Sequence, residues 1–154
     1  MNSTIVNTRP EAAQAQKIVL VVDDSPDNIM VLKEVLGEEY TLRVATSGAK
    51  ALEICRGAVK PDIILLDIMM PGMDGYEVCA RLKADAETAG IPVIFVTAMT
   101  DEQNEVKGLG MGAIDYITKP ISPTIVIQRV RNHLELRAAR LALEGLSRHY
   151  SAYL

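Results

Sequence analysis

Residues 61–75 read PDIILLDIMMPGMDG. Ile63, Ile64, Leu65 and Leu66 run without a polar break into Asp67, and Pro71, Gly72, Asp74 and Gly75 then build a turn. A short apolar run with no alternation predicts a strand covered on both faces, as in a parallel sheet flanked by helices. Why such a strand should end on a carboxylate is the question on which the rest of the chain bears.

Four further short runs are rich in Val, Ile and Leu, KIVLVVDD (17–24), YTLRVAT (40–46), IPVIFVTA (91–98) and AIDYITK (113–119), and of these the first and third are also apolar almost continuously. Helical periodicity fills the gaps. Ile29, Leu32, Val35 and Leu36 share one face, as do Ala51, Leu52 and Cys55, and then Val78, Cys79 and Leu82. Ser25 with Pro26, and Ser122 with Pro123, pair a capping hydroxyl with a proline at the first helical position, while Thr100 or Asp101 is positioned to cap the stretch before Val106. Gly108, Gly110 and Gly112 weaken that stretch, each by about 1 kcal/mol relative to alanine. The sum is a β-α unit repeated five times, an α/β fold in which right-handed crossovers place helices on both faces of a doubly wound sheet.

The 154 residues, 49% hydrophobic and 23% charged, fit one globular domain with a modest extension. Cys55 and Cys79 lie far apart with no metal-ligand spacing, so neither a disulfide framework nor a zinc site is indicated. No apolar run reaches the roughly 18 residues of a membrane span, and residues 1–16, polar and small, read as a flexible arm rather than a signal peptide. The expected location is cytoplasmic. A net charge of -4 argues against direct nucleic-acid binding by this chain.

Ligands of doubly wound sheets bind beyond the C-terminal ends of the strands. Those ends carry Asp23 and Asp24, then Asp67, then Thr97, then Lys119. Each alone has an ordinary reading as a cap or turn residue. Together the carboxylates repel by about 4 kcal/mol per pair at about 4 Å and an effective dielectric of about 20, so gathering them calls for a divalent cation or raised pKa values. Mg²⁺, which prefers oxygen ligands and usually takes one or two carboxylates with a phosphate, is the economical choice.

With these residues in place, the chain closely resembles the receiver domain of two-component response regulators. The resemblance is carried by the acidic pair in VVDDSPDN, by LLDIMMPGMDG, by the Thr-Ala of FVTAM, and by Tyr116 to Pro120 in DYITKP, over about residues 17–135. It implies a flavodoxin-like sheet of five parallel strands in the order 2-1-3-4-5 with five helices. It further implies that Asp67 is the phosphoacceptor, receiving a phosphoryl group from a histidine kinase or a histidine phosphotransfer protein. Asp24 and Asp67, with the backbone carbonyl of Met69, would hold Mg²⁺, and Asp23 would act through water. Lys119, its Lys-Pro bond cis, would stabilise the phosphoryl oxygens. Thr97 and then Tyr116 would relay the switch to the surface of the fourth helix, fifth strand and fifth helix. Two positions that tune phosphoryl lifetime in the family are Met69 and Met99 here, and neither orients an attacking water well. His133 and His149 are expected at the surface.

The last helix is longer than the domain needs. From Pro123 it can run to about Tyr150, with Val126, Val130 and Leu134 facing the sheet. A second stripe, Leu136, Ala139, Leu143, Leu146, Tyr150 and Tyr153, alternates steps of three and four, a heptad seam with Arg137, Arg140 and Glu144 as flanking charges. Residues 136–154 are therefore read as a coiled-coil connector and the chain as a homodimer. This extension resembles those that precede cyclic-nucleotide output enzymes, and the seam still running in SRHYSAYL points to an output domain in a longer parent. The alternative reading is a receiver-like protein-binding scaffold without phosphotransfer. That would predict loss of Asp67, Lys119 or the acidic pair, and all are present. An FMN carrier is disfavoured because Asp23 and Asp24 would repel the phosphate, and a dehalogenase-type phosphohydrolase because its first strand carries D-x-D.

Overall fold

The computed structural model describes residues 16–98 and 102–151, with side chains over 16–98 and 106–146. Five strands alternate with five helices: β1 (Ile18–Val22), α1 (Pro26–Leu36), β2 (Thr41–Ala45), α2 (Gly48–Cys55), β3 (Ile63–Leu66), α3 (Gly75–Ala84), β4 (Val93–Thr97), α4 (Glu102–Gly110), β5 (Asp115–Thr118) and α5 (Pro123–Ser151). Every pairing is parallel, in the order β2-β1-β3-β4-β5. The strands are one or two residues shorter at each end than the apolar runs, because the flanking residues leave the ladder to carry caps and site groups.

The doubly buried character of the strands splits the core in two. Leu20, Val22, Ile64, Leu66 and Phe95 point to the side covered by α2 and α3, and Val19, Val21, Ile63, Leu65 and Ile94 to the side covered by α1 and α5. Val126 and Val130 of α5 are fully buried, as the first stripe of that helix predicts. Ser25 caps α1 by accepting the Asn28 N–H with Pro26 at the first helical position, and the Ser122 hydroxyl accepts the Ile125 N–H at the start of α5. The proposed caps Thr100 and Asp101 lie outside the described residues, as do residues 1–15 of the arm. No helix among the described residues is long and apolar enough to cross a membrane.

Two glycines have steric reasons that sequence propensity hides. A Cβ on Gly108 would sit 2.8 Å from the Phe95 ring, so the glycine that weakens α4 locally also lets it seat on β4. Gly72 takes the positive φ of the turn after Asp67 (77°), but Gly75 is needed for close approach: a Cβ there would collide with the Asp67 carbonyl and stand 2.7 Å from the Ile68 Cα.

The far side of α5 corrects two expectations. Arg137 is not a seam-flanking charge; it turns toward the sheet, donating from Nη1 to the Asp62 backbone oxygen at 3.0 Å. His133 is not a surface residue; only 18% of its side chain is exposed, and Nε2 lies 2.9 Å from Asp115 Oδ2. Both pairings depend on a strand edge that helix periodicity alone does not locate.

Phe95 is fully buried and meets Tyr76 and Tyr116 edge-on, at centroid distances of 5.5 and 6.4 Å. Phe95→Ala is expected to cost about 3–5 kcal/mol of unfolding free energy, measured by urea denaturation. A loss under about 1 kcal/mol would mean the α4 side of the core is loosely packed.

Candidate functional site

The site follows from parallel register. Val22 pairs with Leu66, so the next residues, Asp23 and Asp67, leave the sheet side by side. The Asp67 N–H donates to the Val22 carbonyl at 2.9 Å and the Asp23 N–H to the Ala45 carbonyl at 3.1 Å, which pins both backbones at the C-terminal edge. Thr97 ends β4 opposite Thr118, and the Lys119 N–H donates to the Thr97 carbonyl at 2.9 Å. The Lys119-Pro120 bond is cis.

These elements bring four charged side chains together. Asp23 and Asp67 are buried, at 2% and 5% exposure, whereas Asp24 is exposed. One carboxylate oxygen from each of the three lies within 4.8 Å of the others. Lys119 Nζ donates to Asp23 Oδ2 at 2.8 Å and to Asp67 Oδ2 at 3.3 Å, with 15% of its side chain exposed. Two turn hydrogen bonds orient the acids further: Asp23 Oδ1 accepts the Ser25 N–H at 2.9 Å and Asp67 Oδ1 the Met69 N–H at 3.4 Å.

Burial pushes the Asp67 carboxyl above the usual carboxylate range. The ammonium of Lys119 opposes that, Asp23 adds to it, and hydrogen bonds from Lys119 and Thr97 pull back. Three carboxylates and one ammonium leave a formal charge of -2, which a divalent cation would cancel. The donors are all hard oxygens, the set Mg²⁺ selects. Oxygens ligating opposite sides of Mg²⁺ lie about 4.2 Å apart, so the observed spread admits the ion with a slight contraction or a water between it and one acid.

The remaining predicted residues fall in different places. Tyr116 is buried on the α4 side beside Phe95, and Met69 exposes 64% of its surface. Met69 also borders an apolar cleft of about 440 Å³ formed with Ile68, Met70, Pro71, Asp74 and Tyr76. Met99 and Tyr153, and the side chains of His149 and Tyr150, lie outside what is described. Sequence reasoning missed one cluster: Asp115 Oδ1 accepts from Arg129 Nη1 at 2.8 Å while Oδ2 meets His133. Its signal was available, since Arg129 and His133 are four apart on α5 and share a face.

Comparison with known proteins bears on this arrangement. The response regulator receiver domain model matches residues 19–131. Similar curated proteins include a "Probable cyclic di-GMP phosphodiesterase" of Vibrio cholerae, 42% identical over 82% of this chain and 28% of its own length. The response regulator PleD of Caulobacter vibrioides is 44% identical over 74% of this chain and 25% of its own. The DNA-binding response regulator MtrA of Mycolicibacterium smegmatis is 44% identical over 75% and 50%. The chain thus spans between a quarter and a half of the length of these relatives. Among solved structures, a CheY-like receiver domain protein from Methanospirillum hungatei has a TM-score of 0.75 at 26% identity, covering 82% of this chain and 99% of its own. The BeF3-activated receiver domain of DrrB, a Thermotoga maritima protein, has a TM-score of 0.69 at 31% identity, covering 78% and 98%. With the strand order 2-1-3-4-5, the acidic strand ends and a family match over most of its length, this chain belongs to the response regulator receiver domain family.

Proposed function

We propose that the chain is a phosphorylation switch in which Asp67 accepts a phosphoryl group from a phosphohistidine of a kinase or phosphotransfer protein. The observation that carries this reading is the single ammonium of Lys119 shared by Asp23 and Asp67 within a cluster of three carboxylates. In the transfer, an oxygen of Asp67 bonds to phosphorus as the bond from phosphorus to the donor imidazole nitrogen breaks. A carboxylate suffices as nucleophile, because phosphoryl transfer depends mainly on in-line positioning and charge neutralisation. Mg²⁺, held by Asp24, Asp67 and the Met69 carbonyl with Asp23 through water, would supply positive charge to the transferring oxygens. Lys119 would follow one of those oxygens, exchanging its bond to Asp67 for one to the phosphoryl group.

Thr97 and Tyr116 are the proposed relay. Thr97 ends β4 next to the acceptor, and its hydroxyl would bond a phosphoryl oxygen, shifting the segment toward α4. Tyr116 lies on β5 beside Phe95, against which Gly108 of α4 also packs, so a shift there reaches the α4, β5 and α5 surface. The proposed consequence is homodimerisation through the extended α5 and control of an output domain in a longer cytoplasmic parent. The lengths of the curated relatives support such a parent, and their names span a phosphodiesterase and a DNA-binding regulator, so the receiver does not by itself dictate the output. The chain's own catalysis would be confined to its phosphorylation and slow dephosphorylation.

Intact mass after incubation with acetyl phosphate and Mg²⁺ is expected to rise by one phosphoryl group, with no adduct in Asp67→Ala and roughly hundredfold slower labelling in Lys119→Ala. An unlabelled wild type would leave a receiver-shaped binding module. Mg²⁺ at about ten times its Kd should add about 1.4 kcal/mol and raise Tm by a few degrees, an effect lost in Asp24→Asn; equal shifts in both proteins would remove Asp24 from the metal set. The adduct is expected to outlast seconds by a wide margin, and Met69→Glu, which supplies a water acceptor, to shorten its half-life. Decay of the wild-type adduct within seconds contradicts the reading that Met69 orients no attacking water.

A further inference from the structure

Polar side chains tie α5 to its own sheet on two different strands. On β5, Asp115 Oδ1 accepts from Arg129 Nη1 at 2.8 Å, the Tyr116 carbonyl accepts from the same nitrogen at 3.4 Å, and Asp115 Oδ2 meets His133 Nε2 at 2.9 Å. Two turns beyond Arg129, Arg137 Nη1 donates to the Asp62 backbone oxygen at 3.0 Å and lies 3.5 Å from Asp62 Oδ1, at the start of β3. Ile94 of β4 pairs with Leu65 on one side and Asp115 on the other, so the two ties are separated by two strand spacings, about 10 Å, across the sheet.

The two anchor points differ in firmness. β5 is an edge strand with β4 as its one neighbour, whereas β3 lies between β1 and β4. Asp62 is locked into that centre: its N–H donates to the Ile18 carbonyl at 2.8 Å, and its Oδ2 accepts the Ile18 N–H at 2.7 Å. The buried run Ile63 to Leu66 follows directly. Arg137 Nε is buried with no hydrogen-bond partner among the described residues, a costly state for a donor at the root of an exposed helix. The grip of Asp62 on Nη1 accounts for it, with the stem packed in a recess beside Lys17, Leu134, Ala138 and Leu141.

We propose that Arg137 on Asp62 is the fulcrum of a lever. Displacement of β5 on phosphorylation moves the Arg129 end of α5 while Asp62 stays in place, so the helix beyond Arg137 swings in the opposite sense. This rests on the relay reading above and adds the point about which the helix turns. At about 1.5 Å per residue, the arm from Arg129 to Arg137 is about 12 Å and the arm from Arg137 to Leu146 about 14 Å, so a shift at β5 reappears at Leu146 at about its own size. Arg137 is thus a positioning residue, remote from the carboxylate cluster.

The test uses the full chain with pairs of spin labels, one at Glu34→Cys on α1, which covers the same sheet face as α5, and the other at Gln128→Cys or Ala142→Cys. Cys55 and Cys79 are buried, with thiols pushed up by desolvation, Cys55 to about 11, and should stay unlabelled. Labelled protein is diluted into excess unlabelled chain so that each distance lies within one copy. Adding beryllofluoride with Mg²⁺ is expected to change the 34–128 and 34–142 distances in opposite senses. Arg137→Met, which keeps the bulk of the stem and removes its donors, should widen the resting 34–142 distribution about twofold and abolish the opposed shift, with phosphoryl labelling by mass unchanged. Arg129→Met should also abolish the shift but leave the resting distribution narrow. Changes in the same sense at both positions, or an Arg137→Met chain that behaves as wild type, overturn the fulcrum. Unchanged distances overturn the lever alone where the Tyr116 amide still responds to beryllofluoride, and the relay with it where that amide does not.

Discussion

The structure turns on one electrostatic problem. Asp23, Asp24 and Asp67 converge at the C-terminal edge of a sheet whose interior is otherwise apolar, and two of them are buried. At an effective dielectric of about 20 and the 4.8 Å within which these oxygens lie, each pair of ionised carboxylates repels by about 3.5 kcal/mol. Lys119 relieves part of this, reaching Asp23 and Asp67 from 96 and 52 residues away in sequence. That ammonium arrives only because β5 lies beyond β4 and β4 beside β3, so the strand order and the charge balance of the site are one requirement. The residual charge of -2 is what the proposed divalent cation would cancel before an anionic phosphoryl group approaches the same cluster.

Much of this was legible from residues alone. The uninterrupted run Ile63 to Leu66 identifies a strand buried on both faces, and the C-terminal ends of such strands yield Asp23, Asp67, Thr97 and Lys119. Ser25 and Ser122 announced two helix starts correctly because capping is local chemistry. What escaped was tertiary. Gly108 reads as a defect in a helix until the Phe95 ring beneath it is known. Arg137 and His133 read in sequence as solvent-facing groups of α5, and only the placement of Asp62 and Asp115 at the sheet explains why they turn inward.

The long helix joins these two levels. Its inner face completes the core through Val126 and Val130 and ties to β5 through Asp115, while its outer face continues past the domain in one phase. A rigid helix that runs from the receiver into the proposed connector would transmit a small displacement without a separate hinge. The relatives, of which this chain spans a quarter to a half, carry differently named activities, which fits a receiver whose contribution is geometric rather than chemical.

The central claim, that Asp67 is the acceptor within a cation-dependent site coupled to β5, is tested most directly by amide NMR during titration with beryllofluoride, a phosphoryl mimic. Saturable shifts at Asp67, Thr97, Lys119 and Tyr116, present with Mg²⁺ and absent without it, are the predicted result. Shifts that ignore Mg²⁺, or that stay at the strand ends and never reach Tyr116, would contradict the claim.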